Sequence, residues 1–392
     1  MGNHRRPAPR DAGRQPPRTA GGRAVRPTVT AVHTAAVSLQ VHPDLVVTGA
    51  RGTHARSDFL LVRVVTSAGI EGYGEVSATP LWSGEDGVSA AHFIREILAP
   101  ALVGRPLAPV GGLEILMDRL LAGNPFTKAG VSTALWDAYA RTLDVPLAVA
   151  LGGPYRDEVP IKLSLSGDGA ALDSVFRAAT AAGFHAFKVK VGLGVAGDVA
   201  RVARARTLAG PAAFLGADAN GGWTRSQAAR AIPALAEQDV SFVEQPVAPA
   251  DLDGMRQLRS LGLPVVADES VFGQADLAAL IRAEAADCVS LYVGKSGGPG
   301  RAVAMGQLAS SFGIDTLLGS NGELGIGAAA QLHVACALPA LSREFPSDII
   351  GAHYYAEDIL DESLDSDGRR VRLSDTPGLG VRPRADLMKE FR

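Results

Sequence analysis

Cysteine, aromatic side chains and long apolar runs are all scarce in this chain, and each scarcity closes off a class of protein. The two cysteines, Cys288 and Cys336, lie far apart in apolar surroundings. They offer neither a disulfide framework nor zinc-ligand spacing, which points to a reducing, cytoplasmic setting. Both read as small buried hydrophobes. Aromatics make up 5% of the residues, so the core must rest on small and branched aliphatic side chains. No uninterrupted apolar run reaches the roughly 18 residues that a membrane-spanning helix needs. Hydrophobic residues at 47% and charged residues at 20% suit a globular protein rather than a disordered one.

At 392 residues the chain exceeds what one core usually holds, so two domains are expected. The net charge of −3 hides an asymmetry: residues 1–27 carry seven arginines and one aspartate, a balance of +6 that leaves −9 for the remainder. Rich in Pro and Gly and without apolar periodicity, residues 1–27 read as a disordered tail. Arg5 and Arg6 are followed by no apolar segment, against a twin-arginine export signal. A short basic arm on an acidic protein, with no binding motif behind it, argues against a nucleic-acid partner.

Residues 28–154 read as an α+β domain. The β-branched runs VTAVHTAAVSLQV and DFLLVRVVTSAG are followed by helical spacing over Val88–Leu102, Leu107–Leu121 and Lys128–Leu143. After Pro154 the rhythm changes. Short apolar strands such as VPIKLSLS, AFKVKVG, AAFLGAD, SFVEQP, PVVADES, CVSLYVGK and IDTLLGS alternate with helix-like segments, which predicts βα units and a parallel sheet over 155–365.

Polar residues interrupt these strands at a regular interval. Lys190, Asp218, Glu244, Asp268, Lys295 and Glu323 fall at or just beyond successive strand ends, separated by 28, 26, 24, 27 and 28 residues. In a parallel barrel all such ends open on one face, where active sites are built. Polar loops would explain scattered charges, but not three carboxylates and a lysine in register.

Asp218, Glu244 and Asp268 are three hard oxygen donors that would repel one another in a dry pocket. A divalent cation resolves this, and the lack of His or Cys favours Mg2+, with Mn2+ as a substitute, over zinc. Lys188 and Lys190 are two apart on one strand and share a face; Phe187, Val189 and Val191 point the other way. A lysine with its ordinary pKa of about 10.4 is a poor base at neutral pH. A neighbouring lysine and a metal are expected to lower it, so that Lys190 or Lys295 removes a proton beside a carboxylate. The developing enediolate is stabilised by cation and ammonium.

The motifs KVK (188–190), DAN (218–220), EQP (244–246), ADES (267–270) and GKSGG (294–298), in this order, resemble the enolase superfamily. Within it they are similar to the muconate-lactonising-enzyme subgroup of the mandelate racemase/muconate lactonising enzyme family. GYGE (72–75) and PGLGV (377–381) extend the resemblance over nearly all the chain from Thr28. It implies a modified (β/α)7β TIM-like barrel under an N-terminal α+β capping domain, with residues 366–392 returning to the cap. It implies Asp218, Glu244 and Asp268 as metal ligands, Lys190 and Lys295 as the acid/base pair, and Lys188 as their auxiliary. A lysine or histidine base beside magnesium is the general pattern of enolase-superfamily sites, so these roles come with the resemblance. A symmetric homo-oligomer is implied as well.

Asn220 in DAN and Glu323 in ELGIG (323–327) are further candidates near the site, whereas His333, in an apolar helical run, reads as structural. SDIIGAHYY offers Asp348 but Ile350 where dipeptide epimerases of the resembled family often have a second Asp, which argues against dipeptide epimerisation but not against other amino-acid-like substrates. Asp348 then reads either as a partner for a cationic nitrogen or as a cap. The glycine-containing loop 46–57, with Arg51, His54 and Arg56, suits a mobile lid. Trp82, Glu85 and the tyrosines 292, 354 and 355 are candidate walls. The expected activity is isomerisation of a small carboxylate, as a muconate-type cycloisomerase or a racemase/epimerase of an amino-acid derivative. A dehydratase on the same site and a non-catalytic carboxylate-binding protein are the alternatives.

Overall fold

The computed structural model describes residues 27–392. The expected tail therefore falls outside the described residues except for Pro27, as does the side chain of His54. Among the described residues no helix is long and apolar enough to cross a membrane.

The first part of the chain is a three-stranded antiparallel sheet, ordered β1 (Val29–Gln40), β4 (Arg56–Thr66), β5 (Glu71–Val76). A small hairpin, β2 (Val47–Gly49) and β3 (Gly52–His54), is inserted between β1 and β4. Strand β4 is buried on both faces, which is why it reads as an almost continuous apolar run. Leu60, Val62 and Val64 pack with the helices of this domain, and Phe59 and Leu61 join the core of the second domain. The expected helices appear as Gly87–Phe93 continued through a π-turn to Leu102, Val110–Leu120 and Pro125–Thr142. The last lies directly on β5 because Gly72 and Gly74 have no side chains. A Cβ on Gly74 would overlap the Gly130 carbonyl oxygen, and one on Gly72 the Ala134 carbonyl oxygen.

The second part is a curled sheet of seven parallel strands in sequential order. They are β7 (Leu163–Leu165), β8 (Ala186–Lys190), β9 (Phe214–Asp218), β10 (Val243–Glu244), β11 (Val265–Ala267), β12 (Cys288–Leu291) and β13 (Asp315–Leu318). Helices such as Ala170–Ala181, Val195–Ala209 and Gly325–Ala337 cover the outside. The eighth position of the ring is held by an irregular segment. Leu341 bridges Thr316, Ser347 bridges Ile161, and Asp348 N donates to Leu318 O at 2.7 Å. Strand β6 (Glu158–Pro160) pairs outside the ring with β14 (Arg370–Arg372).

The two-residue period of the strands sorts the side chains. Phe187, Val189, Leu215, Ala217, Val265, Ala267, Val289 and Leu291 face the helices. Phe242, Val266, Cys288, Leu317 and Phe345 form a separate apolar cluster at the start of the strands. Toward the strand ends the polar residues Lys188, Lys190, Asp218, Glu244 and Asp268 take over.

Three buried polar contacts tie the parts together. Glu75, ending GYGE, accepts from Leu324 N at 2.7 Å and Gly327 N at 2.9 Å, at the start of the helix Gly325–Ala337. Asp137 accepts from Tyr73 N and from Leu379 N, the latter in PGLGV. His333 Nδ1 accepts from Ala148 N at 3.0 Å. The final residue, Arg392, exchanges both backbone hydrogen bonds with Thr34 of β1.

Candidate active site

The strand ends and the cap enclose a cavity of about 330 Å³. Lys190, Asn220 and Tyr292 line it from the barrel; Arg51, Trp82 and Tyr355 are among its other walls. Strand register brings the acidic residues side by side: Asp218 is opposite Glu244 across β9 and β10, and Asp268 follows one residue after β11.

Each carboxylate is paired with a lysine. Lys190 Nζ lies 2.7 Å from Asp218 Oδ2 and donates to Asn220 Oδ1 at 3.1 Å. Lys188 Nζ lies 2.9 Å from Glu244 Oε2, 3.0 Å from Asp348 Oδ2 and 3.7 Å from Asp218 Oδ2. Lys295 Nζ donates to Asp268 Oδ1 at 2.6 Å, to Asp268 O at 2.7 Å and to Ser290 O at 2.8 Å.

Burial and charge work against each other here. Burial raises the Glu244 carboxyl, and despite Lys188 it stands at about 7. Burial also acts to raise Asp218, but Lys190 and Lys188 outweigh it and hold the carboxyl low. For Lys190, burial acts to lower the ammonium, and Asp218 more than offsets it, so the lysine is raised. Lys188 is raised further, because Asp348, Glu244 and Asp218 together overcome its burial. For Lys190 the expected depression is therefore not found, since anionic neighbours stabilise its ammonium.

The donor set suits a hard divalent cation. Glu244 Oε1 is buried and has no hydrogen-bond partner among the described residues, which is costly unless something positive meets it. Among the described residues the side chains as placed do not form a ready group of three metal donors. The carboxylates are turned to the lysines instead. The types, oxygen only and all anionic, fit magnesium or manganese better than zinc.

The other expected residues separate into two groups. Arg51, at the tip of the β2–β3 hairpin, reaches down so that its Nε is 3.1 Å from Glu269 Oε1. Asn220 Nδ2 donates to the same oxygen at 3.1 Å. Trp82 stacks on Tyr292 with ring centroids 5.3 Å apart and planes 14° apart. Tyr355 donates to Gly322 O, and Tyr354 accepts from Ser164 N. Arg51, Asn220, Trp82 and the three tyrosines all line the cavity.

Four others do not. Glu323 turns back on its own loop, accepting from Ser320 Oγ and Asn321 N, so it shapes the wall rather than facing the space. Glu85 caps the helix Pro125–Thr142, accepting from Phe126 N, Thr127 N and Thr127 Oγ1. Asp348 is held by Lys162 and Lys188 below the cavity. Lys295 is 1% exposed in its side chain, against 15% for Lys190, and is not on the cavity wall.

Two participants escaped the sequence reading. Lys162 is fully buried between Asp348 and the Pro346 carbonyl, and the sign was an ionisable residue inside the apolar run VPIKLSLS. Glu269, next to Asp268, is raised to about 8 by its burial and then by Asp268. Its place in ADES gave no hint that it would meet the cap.

Known proteins carry the same architecture. Residues 25–152 match the mandelate racemase/muconate lactonizing enzyme N-terminal domain, and residues 171–387 match the enolase C-terminal domain-like family. Muconate cycloisomerase 1 of Rhodococcus opacus is 34% identical over 339 residues, covering 85% of this chain and 90% of that protein. N-succinyl-L-Arg/Lys racemase of Bacillus cereus is 30% identical over 366 residues, 93% of this chain and 97% of that protein. The crystal structure of muconate lactonizing enzyme from Pseudomonas fluorescens with muconolactone superimposes with a TM-score of 0.87. It is 28% identical and covers 94% of this chain and all of that one. The chain belongs to the mandelate racemase/muconate lactonizing enzyme family of the enolase superfamily.

Proposed function

We propose that this chain is a magnesium-dependent isomerase that moves a proton at the carbon beside a substrate carboxylate, with Lys190 as the group that carries it. Family membership supports isomerase chemistry of the enolase type. The observation that carries the assignment to Lys190 is its position: of the three expected lysines, it alone is on the cavity wall. Its neighbours there are Asn220 and, through Asp218, the carboxylate cluster.

Asp218, Glu244 and Asp268 are the residues that would hold the cation. When bound, it supplies positive charge for the substrate carboxylate and draws on the anions that keep Lys190 protonated. Lys188 holds Glu244 in place and adds positive charge beneath the cluster. As an amine, Lys190 accepts the proton and the C–H electron pair enters the carboxylate as an enediolate; as an ammonium, it returns the proton to carbon. Trp82 and Tyr292 supply an apolar wall that keeps water from the carbanionic centre.

The relatives' names cover two outcomes, cycloisomerisation of a muconate and racemisation of an N-succinyl amino acid. Deuterium uptake from heavy water with Mg2+ present, over muconates, muconolactones, N-acyl amino acids and dipeptides, tests the reading. Exchange or product in one class, lost with chelator, supports it. Tight Mg2+ and carboxylate binding with no exchange in any class marks a binding protein instead.

A further inference from the structure

Lys162 is completely buried inside the barrel and, like its partner Asp348, is not on the cavity wall. We infer that Lys162, acting through Asp348 and Lys188, sets how strongly the carboxylate cluster holds its cation, weakening the hold from below without touching the ion. This rests on the magnesium reading above and adds to it a residue outside the cavity.

The position follows from the strand pattern. Lys162 directly precedes β7, where Ile161, Leu163 and Leu165 face the helices, so Lys162 and Ser164 point into the barrel. Ser164 is in register with Lys188 across β7 and β8, which puts Lys162 one layer below Lys188. That layer is apolar: Lys162 Nζ is 5.7 Å from the centre of the Phe242 ring, which belongs to the cluster at the start of the strands. An ammonium taken this deep is costly unless it is paired. Apolar side chains in place of such a pair are often neutral or stabilising, so the fold alone gives little reason to keep it.

The surroundings of Lys162 fit the charged form. An ammonium has three N–H donors, whereas a neutral amine has two and a lone pair. Lys162 Nζ is met by the Pro346 carbonyl oxygen at 2.5 Å, by Asp348 Oδ2 at 3.0 Å and by the Phe242 ring. All three attract positive charge, and a lone pair would meet none of them favourably.

Asp348 Oδ2 lies between two ammoniums, 3.0 Å from Lys162 Nζ and 3.0 Å from Lys188 Nζ. Lys188 in turn divides itself between Asp348 and the cluster, 2.9 Å from Glu244 Oε2 and 3.7 Å from Asp218 Oδ2. Asp348 has one negative charge to share. The more of it Lys162 takes, the less draws Lys188 away from Glu244. Lys162 therefore opposes the cation twice: by its own field, and by leaving Lys188 on the carboxylates that would hold the ion. Buried charges act at short range in a medium of low polarisability, and salt screens them little.

Calorimetric Mg2+ titrations of the full chain, at one pH and ionic strength, test this without any substrate. Lys162→Met removes the positive charge and is expected to tighten Mg2+ binding at least about five-fold. Asp348→Asn removes the negative charge, returns Lys188 to Glu244 and is expected to weaken binding by a similar factor. The double variant loses one charge of each sign and should fall between the two. A pair that only supports the packing gives another pattern: binding weakened in both single variants, or unchanged in both. Either result would overturn the inference. Urea unfolding of each variant without Mg2+ establishes that the compared proteins are folded. Should Lys162→Met not fold, the double variant is compared with Asp348→Asn: tighter binding in the double supports the role of Lys162, and equal or weaker binding overturns it. Should the wild type bind neither Mg2+ nor Mn2+, the magnesium reading fails and the role of Lys162 with it. Binding of equal strength in wild type and variants leaves that reading standing and removes only the role of Lys162.

Discussion

Lys162 and Asp348 form an ion pair wholly enclosed by the barrel, with Nζ 3.0 Å from Oδ2 and the lysine completely buried. Lys188 reaches the same oxygen from the other side, also at 3.0 Å. Asp348 is thereby neutralised from within the fold and is not presented to a substrate ammonium. Removing Lys162 leaves a buried carboxylate with one partner fewer. Lys162→Met is expected to cost about 3 kcal/mol of stability, the range for breaking a buried pair. Urea unfolding measures it, and adding Asp348→Asn should recover part of the loss.

His333 sets an acid limit on stability. Burial holds its imidazole at about 4, below the ordinary value of 6.5, and Nδ1 must stay unprotonated to accept from Ala148 N. A histidine depressed in the folded state contributes fully above pH 6.5. The contribution is lost as pH falls from there to about 4, where the folded form too takes up its proton. The loss is about 3 kcal/mol over that window. In unfolding experiments His333→Gln should lack this component of the pH dependence, its deficit against the wild type being largest at neutral pH.

The seam inside the cap is sensitive to a single methyl group. Gly74→Ala drives a Cβ into the Gly130 carbonyl oxygen, a backbone atom that cannot turn aside. A loss of about 3 kcal/mol is expected, at the upper end for overpacking. Gly111→Ala is the contrast: it lies in the helix Val110–Leu120 with nothing within 4 Å of the added Cβ. It should stabilise by about 0.5–1 kcal/mol. Thermal midpoints of the two variants should move in opposite directions.

Cation binding is expected to stabilise the fold through the carboxylate cluster. Magnesium at 100 times its dissociation constant should add about 2.7 kcal/mol. Chelator should reverse the gain, and Asp268→Asn or Glu244→Gln should abolish most of it while leaving the unfolding cooperative. Calorimetry with Mg2+ alone gives the same comparison without any substrate.

The barrel was legible because its two periods are written in the residues. The βα spacing carried Asp218, Glu244 and Asp268 to one rim, and the two-residue alternation put Lys188 and Lys190 on one face. The orientation of Tyr292 was not settled by the sequence; the structure puts it on the cavity wall. Lys295 comes three residues further on, past the end of the strand, where the alternation no longer says which way a side chain points. Glu85 was read as a cavity wall and is instead a helix cap, which the sequence hid because the amides it accepts from are about forty residues away at Phe126 and Thr127. The irregular closing segment had no strand signal to read: SREFPSDII carries Pro346 and charges where a strand would alternate.

Solvent exchange at the carbon shows most directly whether Lys190 carries the proton. With the substrate class found by the heavy-water panel, wild type and Lys190→Ala are compared at equal Mg2+ occupancy, checked by calorimetry. Exchange is expected in the wild type, with a fall of about a thousand-fold or more in the variant, as for loss of a group acting in proton transfer. Exchange at a near wild-type rate in Lys190→Ala, with magnesium still bound, would contradict it.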